Sequence, residues 1–445
     1  MNKLKVSAAQ SASPTPPALL AHPSKLFVET TTRCNLGCFM CVKQTCDHAI
    51  DEGDMSATTF AALAPAFPGL KSLVLNGVGE PLLHPLLEEF VRSARSLMPP
   101  DSWIGFQSNG LLLTEARAVS LLEAGVDRIC LSIDSVSAET FRKVREGGEL
   151  EDISDAFSAL ASAKLQTGRS DFRIGVEFVV MQSNLRELPD ALSWAASRGA
   201  SFALVTHVLP YEAKHADEAL YGGCTDQALA LFDSWKRQAE ETGIDVYRYF
   251  EVAMKYAKSK EEQRLIAMVD ALKAEAESRG ILLDLKKLLR LDCRRQEEVA
   301  EVFKQAQEVA DQLGLDLKLP GVVLNEVRSC GFVEEGGAFI AWNGDVSPCY
   351  FLWHRYRCFA SGWDQQVQPK VFGNVQEREI LQIWNGQPFL SFREGVTAYD
   401  YPHCSSCNLA PCDYVQTEQF EQDCHIRGVP CGACLWCTGI FQCLN

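Results

Sequence analysis

Cys34, Cys38 and Cys41, in Thr32-Arg-Cys-Asn-Leu-Gly-Cys-Phe-Met-Cys, are the residues whose type and spacing most clearly announce chemistry. A C-x3-C-x2-C run puts three thiolates on one tight loop. That number holds a 4Fe-4S cluster and leaves its fourth iron without a protein ligand. Such an iron is a place where a small molecule can bind and react. A structural zinc would want four ligands, commonly from two separated C-x2-C pairs, so a triad without a fourth partner at matching spacing argues against one, and Cys46 is the only local candidate.

More polar residues follow in order. Asn76-Gly77-Val78-Gly79-Glu80-Pro81 joins two glycines, which let backbone approach a ligand closely, to Glu80, an acceptor for an ammonium group. Ser108-Asn109-Gly110 comes next. In Cys130-Leu-Ser132-Ile-Asp134, strand alternation places all three polar or sulfur-bearing side chains on one face, where Ser132 and Asp134 could hydrogen-bond the hydroxyls of a ribose. Taken singly, a glycine turn or an Asn-Gly step is ordinary loop punctuation. Their succession behind the triad is what makes them a set. His84, in Glu80-Pro-Leu-Leu-His84-Pro85, reads as helix-start chemistry.

Positioning these residues requires a scaffold, and the apolar pattern supplies one. Short apolar runs at Leu26–Thr30, Ser72–Leu75, Trp103–Gln107, Arg128–Ile133, Arg173–Val180 and Phe202–Thr206 alternate with longer amphipathic ones. This is the pattern of parallel strands joined by helices, an α/β fold whose functional residues gather at the carboxyl ends of the strands. Residues 1–23, rich in Ser, Ala and Pro, read as a flexible tail without the apolar core of a signal peptide. The strand-helix pattern spans 24–210, and 211–326 is a charged helical insertion. Three helical runs there end in a glycine followed by a short apolar strand, at Gly243, Gly280 and Gly314, which reads as helix punctuation more than as a repeat. Residues 327–445 hold eleven of the eighteen cysteines.

The triad, the Gly79-Glu80 turn and the Ser-Asp strand end together resemble the radical S-adenosylmethionine (SAM) enzymes, over roughly residues 24–210. The resemblance implies a partial (β/α)6 barrel. It also implies that Cys34, Cys38 and Cys41 hold a 4Fe-4S cluster whose open iron is chelated by SAM. Gly79 and Glu80 would receive the methionine ammonium, Ser108, Asn109, Ser132 and Asp134 would lie near ribose and adenosine, and Asn184 is a weaker match. The activity implied is reductive cleavage of SAM to a 5'-deoxyadenosyl radical that abstracts hydrogen. Val78 stands where the family's triplet has its first glycine. Met40 stands where an aromatic residue often lies near adenine, with Phe39 beside it. Cys130 could donate a hydrogen atom to a product radical or be small apolar filling.

Cys330, Gly344 and Cys349 fit the C-x9-15-G-x4-C opening of the small cysteine-rich SPASM domain, an auxiliary-cluster module of that family, and Phe372–Val375 with Ile380–Asn385 resemble its linking segment. Cys404, Cys407 and Cys412 are one residue short of its next motif, and Cys424 is the replacement for a missing cysteine. Cys431, Cys434, Cys437 and Cys443 are spaced like ferredoxin ligands. Two auxiliary clusters need eight thiolates and three need twelve. The two-cluster expectation gives one to Cys330, Cys349, Cys424 and a residue such as Cys358, and the other to Cys404, Cys407, Cys412 and one terminal cysteine. A zinc ribbon is the alternative.

A net charge of -16 argues against sequence-independent nucleic-acid binding, and no stretch of the sequence is suited to spanning a membrane. Cysteine-rich chains without an export signal belong to a reducing compartment, here the cytoplasm of an anaerobe. The family resemblance implies a maturase that oxidises or crosslinks a peptide or protein, fed by a ferredoxin- or flavodoxin-type electron donor. Its terminal stretch is similar to tungsten-oxidoreductase maturases. The alternatives are a dehydrogenase or epimerase of a small polyol or aminoglycoside, and a non-catalytic iron-sulfur electron carrier.

Overall fold

The computed structural model describes residues 16–44, 50–360, 362–399, 401 and 430–444. Six strands, β1 (Lys25–Val28), β2 (Ser72–Val74), β3 (Trp103–Ser108), β4 (Arg128–Ser132), β5 (Arg173–Val180) and β6 (Ala200–His207), pair in parallel in sequence order. They are the six runs expected. Alternation sorts their side chains by face: Ile104, Phe106, Ile129, Leu131, Val176 and Phe178 are buried, and Gln107, Cys130, Ser132 and Glu177 share the opposite parity. The helix Glu115–Ala124 shows the local logic of the connections. Thr114 accepts from Arg117 N at its start, and Gly125, at φ 108°, stops it in a left-handed conformation.

The sheet is larger than the six-stranded expectation. After β7 (Gly222–Thr225), the chain returns as β8 (Asp316–Lys318), which pairs in parallel with β6. Of the three glycine-terminated helical runs, only the last continues into a strand. β9 (Val323–Leu324) pairs with β7. At the other edge β10 (Gly337–Ile340) lies parallel to β1, with β11 (Val346–Ser347) antiparallel beyond it, so the C-terminal part of the chain shares the barrel sheet. β12 (Tyr356–Ala360) and β13 (Trp363–Val367) form a separate hairpin.

The insertion carries its own apolar core, built on Leu231, Phe232, Val252, Val269 and Leu272. The flexible-tail expectation needs correction from residue 16 onward. Ala18 is fully buried, Arg393 Nε donates to its carbonyl at 2.7 Å, and the Trp384 indole donates to Leu20 O at 2.8 Å. Trp384, central to the expected linking segment, therefore anchors the segment before β1. Among the described residues no helix is long and apolar enough to cross a membrane.

Candidate functional site

The triad sits on the loop leaving β1, which is tied down from several sides. Thr31 Oγ1 donates to Asp54 Oδ1 at 2.7 Å, Gly53 N donates to Thr32 Oγ1 at 2.8 Å, and Lys43 Nζ donates to Thr32 O at 2.6 Å. Cys41 N donates to Cys38 O at 3.0 Å, closing the turn that carries the last two thiols. All three cysteines are partly buried. Burial raises the pKa of each, that of Cys41 to about 11, so bare thiolates are unfavourable here and a bound metal would have to hold them in that form. Cys46 lies outside the described residues.

The Gly79-Glu80 turn is keyed into this loop. A Cβ at Gly79 would lie 2.4 Å from Thr31 O and 2.5 Å from Arg33 O, and Glu80 N donates to Arg33 O at 2.7 Å. The close approach that requires glycine is thus made by the cysteine loop. Glu80 is buried, and its carboxylate accepts from Ser108 Oγ at 2.8 Å, Asn109 N at 2.7 Å and Leu82 N at 3.1 Å. Burial raises its pKa and those donors pull it partway back. Asn109 Nδ2 donates to Asn35 Oδ1 at 2.8 Å and lies 3.9 Å from Cys34 Sγ. Glu80, Ser108 and Asn109 therefore form one bonded unit beneath the triad. His84 acts as a strut, Nδ1 accepting from Leu86 N at 3.1 Å with Nε2 2.9 Å from Met55 O.

Asp134 is fully buried, and its carboxylate is already engaged. Arg145 Nη2 is 2.7 Å from Oδ2, and Val179 N donates to Oδ1 at 2.8 Å. This leaves Ser132 as the residue of that pair still able to face a hydroxyl. Asn184 holds the chain after β5, donating to Asp134 O and Val179 O and accepting from Met181 N. Cys130 is 0% exposed, and burial lifts its thiol pKa well above the usual range, as suits a packing residue. Phe39 and Met40 pack with Val144, Met181 and Val208 in a small apolar cluster, and the Phe39 ring lies 4.8 Å from that of His215.

Two residues of this region escape sequence reasoning. Arg145, just past the helix Ala138–Val144, is a buried cation whose Nε has no hydrogen-bond partner and whose field reaches Cys34, Cys38 and Glu80. Burial works against its charge, but Asp134, Cys38 and Glu177 outweigh it and raise the pKa. No local sequence signal marks it. Glu177 is a lone acid in the mainly apolar run of β5, and that contrast was its signal. Asn76 donates to Gln107, which donates in turn to Glu177, a directed chain across three strands. Burial, then Asp134, raises the Glu177 pKa to about 7.

A second thiol cluster lies in the C-terminal region. Cys330, Cys349, Cys431, Cys434 and Cys437 line one cavity whose remaining walls are Phe332, Val333, Phe351, Phe392, Tyr401 and Trp436. Soft sulfur donors in an apolar enclosure suit an iron-sulfur cluster. Among the described residues no three Cys, His, Asp or Glu side chains are grouped to hold a single ion. Cys358 does not join this group. It is buried on β12, and its field is felt by Tyr211 and Tyr221. Cys443 lines an adjoining cavity with Cys330 and Cys437, and its Sγ accepts from the Trp436 indole at 3.3 Å. Cys404, Cys407, Cys412 and Cys424 lie outside the described residues.

Comparison with known proteins matches residues 28–187 to the radical SAM superfamily and residues 330–408 to the iron-sulfur cluster-binding SPASM domain. The chain is 29% identical over 426 residues to the tungsten-containing aldehyde ferredoxin oxidoreductase cofactor-modifying protein of Pyrococcus furiosus, covering 94% of this chain and 96% of that relative. It is 35% identical over 150 residues to the GTP 3',8-cyclase of Pelotomaculum thermopropionicum, spanning 32% of this chain and 45% of the cyclase. Among solved structures, SuiB of Streptococcus suis bound to S-adenosylmethionine is 12% identical, with a TM-score of 0.49 over 88% of this chain and 72% of that one.

Proposed function

From the premise that the chain is a radical SAM enzyme carrying a SPASM domain, we propose that it is a maturase-type oxidoreductase acting on a peptide or protein substrate. The relative that aligns end to end is named as a cofactor-modifying protein of a tungsten oxidoreductase, which supports maturation of such an enzyme. The same name favours a second reading, in which the substrate is the organic part of the oxidoreductase's cofactor.

When bound, the cluster and SAM supply a 5'-deoxyadenosyl radical that takes a hydrogen atom from the substrate. Cys34, Cys38 and Cys41 would hold the cluster. Glu80, fixed by Ser108 and Asn109, offers its remaining acceptor capacity to the methionine ammonium, and Arg145 offers a buried positive charge to a carboxylate. Phe39, Met40 and Val179 border the site with apolar surface and help exclude water. Glu177 holds a polar position opposite Ser132 across β4 and β5, two residues below the level of Asp134. The observation carrying this reading is the keying of the three-thiol loop onto the Gly79-Glu80 turn. An electron donor of ferredoxin or flavodoxin type is part of the proposal.

The test is an anaerobic assay with dithionite as reductant and a deuterated substrate, offered in turn as the apo-oxidoreductase, a peptide from it, and its isolated cofactor precursor. Deuterium recovered in 5'-deoxyadenosine with the protein or the peptide supports the leading reading. Transfer from the precursor alone moves the assignment to the second.

A further inference from the structure

We propose that Glu177 and Tyr350, inside the barrel, form a recognition site for a nitrogen-based cation of the substrate, of the guanidinium or amine class. This deepens the preceding reading and rests on it for the statement that the bound molecule is the substrate.

The barrel interior carries two carboxylates on β1 and β5, and they differ in what the chain gives them. Glu29, just past β1, is fully buried and served from several sides. Val78 N donates to its Oε1 at 3.0 Å, His354 Nε2 lies 3.0 Å from both of its oxygens, and Trp342 N donates to Oε2 at 3.4 Å. Its acceptor capacity is spent within the protein, so its role is structural. Glu177 is not served in this way. Among the described residues its carboxylate accepts from the Gln107 amide alone, at Oε2, and no Lys, Arg or His pairs with it. Arg145, whose field reaches it, is committed to Asp134 at 2.7 Å.

Three further observations turn this unspent acceptor into a site. First, β5 lies between β4 and β6 within the sheet, yet Glu177 and Gln107 are only partly buried, so this face of the sheet retains accessible surface. Second, Tyr350 is 9% exposed and its hydroxyl has no hydrogen-bond partner. Its ring is fixed 5.2 Å from Phe27, 5.5 Å from Phe339 and 5.0 Å from Trp353, and its hydroxyl lies beside Asn76, where the fields of Glu29 and Glu177 reach it. Third, Ser132, the residue left to face a ribose, stands opposite Glu177, so the site adjoins the place expected for SAM.

A carboxylate held in protein is ordinarily paired with a cation, and here the chain supplies none in contact. A guanidinium or ammonium group brings both charge and N–H donors, which a carboxylate and a phenol oxygen can both accept. The raised Glu177 pKa, about 7, agrees with this, because a proton takes the place of the missing cation.

Methylguanidinium and methylurea share a shape and differ in charge, which makes them the probes. Their binding to the reconstituted full chain with SAM should be followed by ligand-observed NMR, above the Glu177 pKa of about 7. The wild type should favour methylguanidinium by about tenfold or more, E177Q should bind both alike, and Y350F should weaken methylguanidinium about fivefold. Equal affinities in the wild type, a preference that survives E177Q, or an unchanged affinity in Y350F would overturn the proposal. Should E177Q fail to fold, E177D serves: a weakened preference supports the site and an unchanged affinity overturns it.

The deuterated substrates then separate two sources of the group. If a peptide side chain carries it, replacing the Arg and Lys residues of the peptide by Gln ends deuterium transfer. If the cofactor precursor carries it, transfer comes from the precursor and methylguanidinium competes with it. Transfer that methylguanidinium does not slow would overturn the assignment to the substrate. Charge-selective probe binding with no transfer from any substrate would instead defeat the maturase reading and leave the cation site standing.

Discussion

The two thiol groups of this chain are built on opposite principles. At the barrel mouth three partly buried thiols sit among charges and hydrogen-bonding groups: Arg145, Glu80 and Asn109. In the C-terminal region five buried thiols sit among aromatic and aliphatic walls. With a cluster bound, the first arrangement would leave one metal position for an exchangeable ligand, beside groups able to recognise one. The second supplies enough sulfur to ligate a cluster completely and keeps it dry, which suits storage or passage of electrons. The lesson is that ligand number and wall polarity together separate a reactive site from a redox site, even where the ligand atoms are alike.

Breaking the charged side of this comparison should have the largest effect. R145A leaves Asp134 buried and unpaired, a loss expected to cost about 3–5 kcal/mol and measurable by denaturant unfolding. R145K, which keeps the charge but loses the planar fork, should recover part of that stability. Next comes G79A, whose new Cβ would press on the carbonyls of Thr31 and Arg33. We expect about 1–3 kcal/mol of destabilisation and weaker SAM binding by calorimetry, because the cysteine loop and Glu80 would be forced apart. W384F removes the indole bond to Leu20 and should cost about 1 kcal/mol, with faster proteolysis of the segment before β1.

A pH-dependent effect sharpens the account of the barrel interior. Glu177 has a folded pKa raised from 4.5 to about 7, so its protonated form favours folding. That contribution is full below the unfolded pKa and is lost as pH rises through about 7. E177Q should therefore show a Tm that gains on the wild type between pH 5 and pH 8. A constant difference across that range would mean that Glu177 titrates normally.

Much of the barrel was legible because its signals are local. Alternation in Arg128–Ser132 and the apolar run of Arg173–Val180 identify strands regardless of what they pack against. The cysteine spacing and the order of Glu80, Ser108 and Asn109 likewise survive reading in one dimension. What stayed hidden depends on tertiary contact. Nothing near Arg145 in sequence says that it will be buried against Asp134. Asp134 was expected to face a ribose because strand parity says which face a side chain takes, but not which partner it meets there. The pairing of β10 with β1 joins residues more than three hundred positions apart. The gathering of Cys431, Cys434 and Cys437 with Cys330 and Cys349, in place of Cys358, was equally invisible, because many groupings of eleven cysteines are compatible with spacing alone.

The central claim is that three thiols at the barrel mouth create the iron position that SAM occupies. Its most direct test is 5'-deoxyadenosine formation, under anaerobic reducing conditions, by the reconstituted wild type and by C34A/C38A/C41A. The wild type should cleave SAM, and the triple variant should form no 5'-deoxyadenosine while retaining its C-terminal iron. Continued cleavage by the triple variant, or zinc bound at those thiols in the oxygen-protected wild type, would contradict the account.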